Sequence, residues 1–289
     1  MPSRAEKLTR GRTSAGIVAQ LLLTSAAMVG IDMSGRRVLV MGVTNKHSLG
    51  WAIAGRLIAA GATVGFTYQG ERLKGSVEGL AEGLDDCPVL PCDVTVEEEL
   101  SRVFAELGER WGSLDGIVHA IAFAPREAML GRYVDTTSAD WVTALTVSAY
   151  SLVAIARHAE PLMNEGAAMV TLTYYAAEKV VPKYNVMGVA KSALEASVRY
   201  LAYDLGPKGI RVNAVSAGPV KTVAARSIPG FMAMYAKVAE MAPLQRGVSH
   251  EEVGNLGLYL LSPLSSGTTG ETVYVDSGYH VMGMQLPEE

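Results

Sequence analysis

The chain has 289 residues, of which 49% are hydrophobic and 19% are charged, and its formal net charge is -4 at pH 7. This composition is typical of a globular chain with a large apolar core and excludes the low-hydrophobicity class of disordered proteins. The mild negative charge and the lack of long Lys/Arg blocks exclude the basic footprint of a nucleic-acid-binding protein, so we expect a small-molecule ligand and no nucleic acid.

The first 32 residues differ from the rest of the chain. Lys7, Arg10 and Arg12 precede an apolar stretch that contains one glutamine and several small residues. Two interpretations remain open. The one we favour is a start codon assigned too early, with Met28 or Met33 as the true start; the other is a targeting segment or a surface helix. The stretch is too polar and too interrupted for a membrane span, so no membrane partner is predicted. We treat residues 1–32 as an N-terminal extension and residues 33–289 as one domain.

From Arg37 onward, apolar strand-like runs alternate with amphipathic helical stretches, and no linker or internal repeat divides them. The seven predicted strands lie in "RRVLVMG", "ATVGFTYQ", "PVLPCDV", "DGIVHAIAF", "AAMVTLTYY", "IRVNAVSAGP" and "ETVYVDSG". The six predicted helices are Leu49–Ala60, Arg72–Glu82, Val96–Arg110, Ala139–Met163, Asn185–Leu205 and Ser249–Leu261, the last with a capping-box pattern. Near-continuous hydrophobicity indicates strands covered on both faces. Strict alternation therefore predicts an α/β fold, a doubly wound, Rossmann-like parallel sheet of seven strands with helices on both faces.

The two cysteines and five histidines predict no metal site. Cys87 and Cys92 have the spacing of neither a zinc site nor a redox pair. The histidines lie far apart, and none has a histidine partner at helical spacing. We interpret both cysteines as reduced thiols of a cytoplasmic protein.

The turn after the first predicted strand, from Gly42 to Gly50, lies where a doubly wound sheet binds a dinucleotide. It lacks the G-x-G-x-x-G pattern, but Gly42 lets the chain leave the strand closely and Ser48 offers a hydroxyl near the helix start. Alone, the turn is as consistent with an ordinary strand–helix loop. Three further strand ends favour the cofactor: Gln69, Asp93 and the small residues of "HAIAFAP".

The second strand end also predicts which dinucleotide binds. No arginine stands at Gln69 or Gly70 to hold a 2′-phosphate, so we predict NADH (NAD), with Arg72 keeping NADPH open. Asp93 has the alternative interpretation of a strand-end cap.

Two tyrosine–lysine pairs could serve a reduction: Tyr175 with Lys179, and Tyr184 with Lys191. A tyrosine with a pKa of about 10 is a poor acid at neutral pH, so such a donor needs a nearby cation and an ordered partner. Pro182 disfavours helix before it, so the first pair is predicted in a loop. The second pair begins a stretch with helical apolar period and is predicted on one helix face. Spacing alone still leaves a coincidental pair open.

The motifs after Asp32 together resemble a known enzyme family. "GVTNKHSLGWAIA", "TYQGERLK", "CDV", "VHAIAFAP", "LTYYAAEKVVPKYNVMGVAKSALEASVRYLA", "GIRVNAVSAGPVKT" and "GETVYVDSGYH" follow the order of the enoyl-[acyl-carrier-protein] reductases of the short-chain dehydrogenase/reductase superfamily. The Tyr-x6-Lys spacing distinguishes these from Tyr-x3-Lys carbonyl reductases. The resemblance implies an oxidoreductase that uses NADH to reduce the trans-2 double bond of an acyl-carrier-protein thioester, the last step of the fatty-acid elongation cycle, in a cytoplasmic homotetramer.

The resemblance also implies site residues. The implied cofactor contacts are Gly42, Ser48, Leu49, Gln69, Asp93, Val94, Ile121, Lys191, Val220, Lys221, Thr222, Val223 and Ala224. The implied catalytic residues are Tyr174, Tyr184 and Lys191, and the implied substrate contacts are Ala124, Tyr174, Tyr184, Phe231 and Met234. Tyr184 would donate a hydrogen bond to the thioester oxygen, Lys191 would hold the nicotinamide ribose and Tyr174 would shape the pocket. Ala122 departs from the family, many of whose members carry glycine there.

The segment around residues 223–243 is predicted to cover the acyl chain as a mobile lid. Its apolar residues around a Pro-Gly breaker are Ile228, Phe231, Met232, Met234, Tyr235 and Met241. Flexible methionines suit a pocket that takes chains of several lengths. The alternative is an ordinary core helix.

Two other functions remain as alternatives. A 3-oxoacyl or other carbonyl reductase would share the fold and cofactor but needs Tyr-x3-Lys on the long helix. A non-catalytic dinucleotide-sensing module would have no reason to keep Tyr184, Lys191 and a methionine-rich lid together.

Overall fold

The computed structural model describes residues 30–222 and 230–284. Its strands are β1 Arg37–Met41, β2 Thr63–Tyr68, β3 Val89–Pro91, β4 Leu114–His119, β5 Met163–Thr173, β6 Arg211–Ala217 and β7 Thr272–Val275. Its α-helices are α1 Leu49–Ala59, α2 Glu71–Ala81, α3 Glu97–Trp111, α4 Arg126–Met129, α5 Ser138–Leu145, α6 Ser151–Ala159, α7 Asn185–Leu205, α8 Phe231–Met241 and α9 His250–Leu261. The predictions for residues 1–29 and for Val223, Ala224 and Ile228 lie outside the described residues.

The seven strands form one parallel sheet in the order β3-β2-β1-β4-β5-β6-β7. The chain winds outward from β1 to β3, returns beside β1 at β4 and then winds the other way. This is the doubly wound topology predicted from the sequence, and the prediction is confirmed. The direction of winding changes between β1 and β4, so the carboxyl ends of these two strands mark the expected ligand crevice.

One face of the sheet packs against α3, α6 and α7. Leu39, Ile117, Met169 and Val212 are register partners on four adjacent strands and form a row on this face. The row belongs to one buried cluster with apolar side chains of the three helices. Burying each such side chain contributes about 1.5–3 kcal/mol.

The opposite face packs against α1 and α9. A Cβ atom placed on Gly116 of β4 would lie 3.1 Å from Leu261 Cδ2 of α9 and 3.3 Å from Val38 Cγ2 of β1. A Cβ on Gly257 of α9 would lie 2.7 Å from Ile53 Cγ1 of α1. The two helices therefore approach each other and the sheet closely, and the prediction of helices on both faces is confirmed.

The predicted helix Ala139–Met163 is confirmed as one helical segment, Ser138–Leu162, but the segment is not α-helical throughout. The chain instead forms α5, a π-helical turn at Thr146–Tyr150, α6 and a short 3-10 turn, and Met163 already begins β5. A π turn inserts one extra residue, which rotates the following helix without changing the apolar composition. Hydrophobic periodicity therefore could not locate the π turn.

The segment Ser138–Leu162 is also long and apolar enough, by length and composition, to cross a membrane. Its apolar character has another physical explanation, since Leu152 and Ile155 are fully buried in the cluster beneath the sheet. The segment is thus a core element of the fold.

The capping box predicted at the start of the last helix is confirmed. The Ser249 hydroxyl accepts a hydrogen bond from the Glu252 N–H at 3.2 Å, and the Glu252 carboxylate accepts one from the Ser249 N–H at 2.9 Å. Arg246 also pairs with Glu252 at 2.7 Å. These bonds satisfy donors that the first helical turn would leave free.

Candidate active site

A cleft of about 870 Å³ opens at the carboxyl ends of the strands on both sides of β1 and β4. Its volume lies within the range of small-molecule and cofactor sites. Most of the predicted site residues line it: Gly42, Ser48, Leu49, Gln69, Asp93, Val94, Ile121, Ala124, Tyr174, Tyr184, Lys191, Val220, Thr222, Phe231 and Met234. Lys221 differs, since its ammonium lies over the Tyr235 ring, 4.3 Å from the centroid.

The floor of the cleft depends on Gly42. Its φ is +92°, and a Cβ atom there would lie only 2.3 Å from the Ala120 carbonyl oxygen. The Ala120 N–H also donates to the Met41 carbonyl at 2.9 Å. The ends of β1 and β4 can therefore approach this closely only because residue 42 has no side chain. The result is a shallow backbone cradle beside the start of α1.

The start of α1 faces the cleft with its backbone donors. Ser48 is the N-cap of α1 and accepts a hydrogen bond from the Trp51 N–H at 3.3 Å. Its hydroxyl donates to the Asn45 carbonyl at 2.8 Å, which closes the turn. Ser48, Leu49 and Gly50 all line the cleft, so the positive end of the helix dipole borders it. This arrangement suits a pyrophosphate.

Gln69 and Asp93 lie side by side beyond the ends of β2 and β3. Gln69 Nε2 donates to Asp93 Oδ2 at 2.8 Å, and Thr95 donates to Asp93 Oδ1 through its N–H at 2.9 Å and its hydroxyl at 2.6 Å. Burial acts to raise the pKa of Asp93, but the hydrogen bonds from Thr95 and Gln69 outweigh it and lower the pKa overall. Asp93 is therefore both the strand-end cap and part of the cleft wall. Arg72 lines an adjoining depression with Gln69 and Asp93.

Tyr174 and Tyr184 meet in the cleft. Tyr174 follows the last residue of β5, and Tyr184 immediately precedes α7. Their rings pack edge to face, with centroids 5.2 Å apart. Helix α7 approaches the turn after β5 closely because Gly188 has no side chain. A Cβ atom at this position would lie only 2.9 Å from the Ala176 carbonyl oxygen. This approach brings the two tyrosines together.

Both tyrosines are held in the neutral form. Burial raises the pKa of Tyr174, and the neighbouring Tyr184 adds to this, while burial alone raises the pKa of Tyr184. A neutral hydroxyl in a partly dry cleft still donates a strong hydrogen bond to a developing negative charge.

The backbone on both sides of Tyr184 is left-handed. Lys183 has φ +67° and Asn185 has φ +37°. Asparagine tolerates this region, whereas a lysine there costs free energy. Such local strain is maintained only where the surrounding fold fixes the residue, which is common at functional sites.

Lys191 reaches the cleft from the second turn of α7. Its side chain is 5% exposed, and Nζ donates to the Leu172 carbonyl at 2.7 Å. Burial lowers the pKa of Lys191 to about 8, against the opposing effect of the Glu195 carboxylate. The lysine is therefore mainly protonated at neutral pH.

The other tyrosine–lysine pair lies outside the residues that line the cleft. Tyr175 begins a 3-10 turn that ends at Ala177, and Lys179 follows in an irregular segment. The Tyr175 ring contacts Tyr274 and Tyr279 edge to face. The prediction that this pair lies in a loop is confirmed.

Two buried polar residues that sequence reasoning missed hold the segment after β4. Ser148, in the π turn, accepts a hydrogen bond from the Phe123 N–H at 2.9 Å and donates to the Phe123 carbonyl at 3.0 Å. His119 contacts Thr171 and Ser151 through its two ring nitrogens, at 2.8 and 2.9 Å. Burial and then the Lys191 charge lower the pKa of His119 to about 3, so it is neutral. Ser148 is presented by the π turn, and hydrophobic periodicity does not reveal that turn.

Helix α8 supplies part of the predicted apolar cover. Phe231 and Met234 line the cleft, whereas Met232 is 54% exposed and does not. The Tyr235 hydroxyl lies above Gly247, where a Cβ would be 2.2 Å from it. The mobility of this segment stays a prediction.

Comparison with known proteins gives relatives along most of the chain. The sequence profile of the family described as "Enoyl-(Acyl carrier protein) reductase" matches residues 42–280. The NADH enoyl-[acyl-carrier-protein] reductase 1 of Rhizobium meliloti is 53% identical over 253 residues, which cover 88% of this chain and 93% of the relative. The NADH enoyl-[acyl-carrier-protein] reductase of Bacillus subtilis is 48% identical over 255 residues, which cover 88% and 99%.

Solved structures agree with these relatives. The Bacillus cereus enoyl-acyl carrier protein reductase with NADP+ and indole naphthyridinone has a TM-score of 0.86 and 47% identity, and the match covers 88% of this chain and 100% of that one. The Anaplasma phagocytophilum reductase in complex with NAD has a TM-score of 0.84 and 48% identity, with 90% and 99% covered.

Proposed function

The chain belongs to the enoyl-[acyl-carrier-protein] reductase family, and from this we propose how its cleft residues perform the family's reaction. The chain is an NADH-dependent oxidoreductase of fatty-acid synthesis, and its substrate is an enoyl thioester of acyl carrier protein. The single observation that carries our assignment of roles is that Tyr174, Tyr184 and Lys191 line one cleft with the backbone cradle at Gly42.

Three parts of the cleft would each bind a different part of one dinucleotide. The cradle at Gly42 and the N-terminal turn of α1 would hold the pyrophosphate, because backbone donors and the positive helix end face it there. Gln69 and Asp93 would border the adenosine, and Lys191 would bind the nicotinamide ribose. Val94, Ile121, Val220 and Thr222 complete the wall of the cleft. From family membership we propose that Lys221, Val223 and Ala224 also contact the cofactor.

When bound, NADH supplies a hydride to the β-carbon of the enoyl thioester. Negative charge then develops on the thioester oxygen, and the Tyr184 hydroxyl donates a hydrogen bond to that oxygen. The α-carbon of the enolate is protonated afterwards, which gives the saturated thioester. Since burial keeps Tyr184 neutral, its proton stays on the hydroxyl until the charge develops. The Lys191 ammonium adds a positive field while it holds the ribose. Tyr174 packs edge-on against Tyr184 and fixes the ring position.

The apolar wall of the cleft would receive the acyl chain. Ala124, Phe231 and Met234 lie on this wall with the two tyrosines. We propose that the segment around residues 223–243 covers the chain. The flexible Met234 side chain adapts to acyl chains of different length.

We also propose the wider organisation of the protein. Residues 33–289 form the catalytic domain and residues 1–32 an extension. The protein works in the cytoplasm as a homotetramer, which the exposed aromatic side chains of Tyr200 and Tyr203 on α7, 75% and 81% exposed, support as an association surface. Sedimentation at equilibrium would give four times the monomer mass if this is correct, and one or two times the mass if it is wrong.

A comparison of two thioesters tests the assigned activity. NADH oxidation is followed with crotonyl thioester and with acetoacetyl thioester. We expect faster turnover of the crotonyl thioester, because Tyr184 and Lys191 are seven residues apart and Tyr184 is placed for an enolate oxygen. Faster turnover of the acetoacetyl thioester would favour a carbonyl reductase. NADH binding without turnover of either would favour a dinucleotide sensor.

A further inference from the structure

A buried carboxylate lies one helical turn beyond the proposed active-site lysine. Glu195 follows Lys191 by four residues on α7, so the two side chains lie on the same side of the helix, one turn apart. Glu195 is 7% exposed and Lys191 is 5% exposed. A buried charge is costly unless an opposite charge or hydrogen bonds compensate it.

Both side chains are bonded to the end of β5. Lys191 Nζ donates to the Leu172 carbonyl at 2.7 Å, and the Thr173 hydroxyl donates to Glu195 Oε1 at 2.7 Å. Leu172 and Thr173 are consecutive residues that both line the cleft. Tyr174, the next residue, packs against Tyr184. The carboxylate, the lysine and the tyrosine pair are therefore all fixed to one short segment.

We propose that Glu195, held by the Thr173 hydroxyl, is a positioning residue that keeps the Lys191 ammonium charged and directed at the nicotinamide ribose. This inference rests on the proposed role of Lys191 in binding NADH. Glu195 touches neither the cofactor nor the substrate in this scheme and acts through Lys191 alone.

Lys191 and Glu195 each shift the pKa of the other in the direction that the proposal requires. Burial lowers the pKa of Lys191, and Glu195 is the group that opposes it. Burial raises the pKa of Glu195, whereas the Thr173 hydrogen bond, Arg199 and Lys191 lower it, and Glu178 on the turn after β5 raises it further. Loss of the Thr173 bond would therefore favour a protonated Glu195, which no longer supports the lysine charge.

Two further groups near the pair belong to other strands. His119 on β4 is neutral at physiological pH because burial and the Lys191 charge lower its pKa. Tyr274 on β7 hydrogen-bonds to Glu178. Since His119 is neutral and Tyr274 binds to Glu178, the Glu195 carboxylate is the group expected to set the charge of Lys191.

The test is the pH dependence of NADH binding, measured by fluorescence titration on the full chain. The variants are Glu195→Gln, Thr173→Val and Thr173→Ser, with Lys191→Ala as a reference. Glu106→Gln serves as the matched control, because it removes one carboxylate charge from the exposed side of a different helix, α3. Wild-type affinity should fall as the pH rises through about 8, because Lys191 loses its proton there.

Glu195→Gln should move this midpoint down by about one pH unit, which weakens NADH binding roughly fivefold near pH 8 and by less than about twofold near pH 6. Thr173→Val should move it in the same direction, and Thr173→Ser should restore the wild-type midpoint because it keeps the hydroxyl. Glu106→Gln should leave the midpoint unchanged. If Glu195→Gln does not fold, the two Thr173 variants carry the test.

The outcomes separate this inference from the proposed function. An unchanged midpoint in Glu195→Gln, or an equal loss of affinity at every pH, would overturn the positioning role while leaving the reductase assignment intact. If Lys191→Ala binds NADH as tightly as wild type near pH 6, the role of Lys191 itself is wrong and the inference falls with it.

Discussion

Replacing Gly42 with alanine should lower the free energy of unfolding, and the loss has two contributions that can be read from the structure. The first is conformational, because φ at Gly42 is +92° and an L-residue in the left-handed region costs about 1–2 kcal/mol. The second is steric, because the new Cβ would lie 2.3 Å from the Ala120 carbonyl oxygen and 2.6 Å from its carbon. Overpacking of this kind costs about 1–3 kcal/mol. The sum is roughly 2–5 kcal/mol of unfolding free energy.

Gly35 provides the matched control for Gly42. Its φ is +74°, and a Cβ there would have no heavy atom within 4 Å. Gly35→Ala should therefore lose only the conformational part, about 1–2 kcal/mol. Urea unfolding of wild type and both variants measures the difference through the midpoint and the slope. Equal unfolding free energies for the two variants would refute the close approach of β1 and β4 at Ala120.

Three further predictions concern the tyrosine–lysine pairs and the N-terminal extension. Lys191→Ala should weaken NADH binding by about one to two orders of magnitude, since a hydrogen bond to a charged group contributes about 1.5–3 kcal/mol. Lys179→Ala should leave NADH binding unchanged. Fluorescence titration that gives the reverse order of the two variants would contradict the assignment. Tyr184→Phe should lower kcat with little change in NADH affinity, whereas Tyr175→Phe should leave kcat close to the wild-type value in steady-state kinetics. Equal values of kcat for the two variants would exclude Tyr184 as the donor. A chain that begins at Met28 should unfold at the wild-type temperature and keep its turnover, because β1 begins at Arg37, and loss of soluble protein would show that the extension is structural.

The sequence predicted the fold and the separation of the two tyrosine–lysine pairs, because these depend on local patterns. The alternation of apolar runs with helical stretches reflects burial on both faces of the sheet, and the seven strands form in the predicted order along the chain. Pro182 correctly separated the loop that holds Lys179 from α7, which carries Lys191. Gly42 and Gly50 identified the turn that lines the cleft.

The remaining parts of the site depend on contacts between distant segments. The π turn that presents Ser148 adds one residue to an apolar helix, and no change in composition accompanies it. Thr173 and Glu195 are 22 residues apart and meet only because α7 packs on the end of β5. Burial of Tyr184, which keeps it neutral, is likewise a property of the folded cleft.

The position of the transferred hydride tests the central claim most directly. The enzyme is given NADH carrying deuterium at the transferable C4 position together with crotonyl thioester, and the product is analysed by NMR and mass spectrometry. We predict a butyryl thioester with one deuterium on the β-carbon, because the Tyr184 hydroxyl meets the charge on the thioester oxygen. Deuterium on any other carbon would contradict the account. In a parallel reaction with acetoacetyl thioester, deuterium on a hydroxyl-bearing carbon would also contradict it if the crotonyl reaction gives no labelled product.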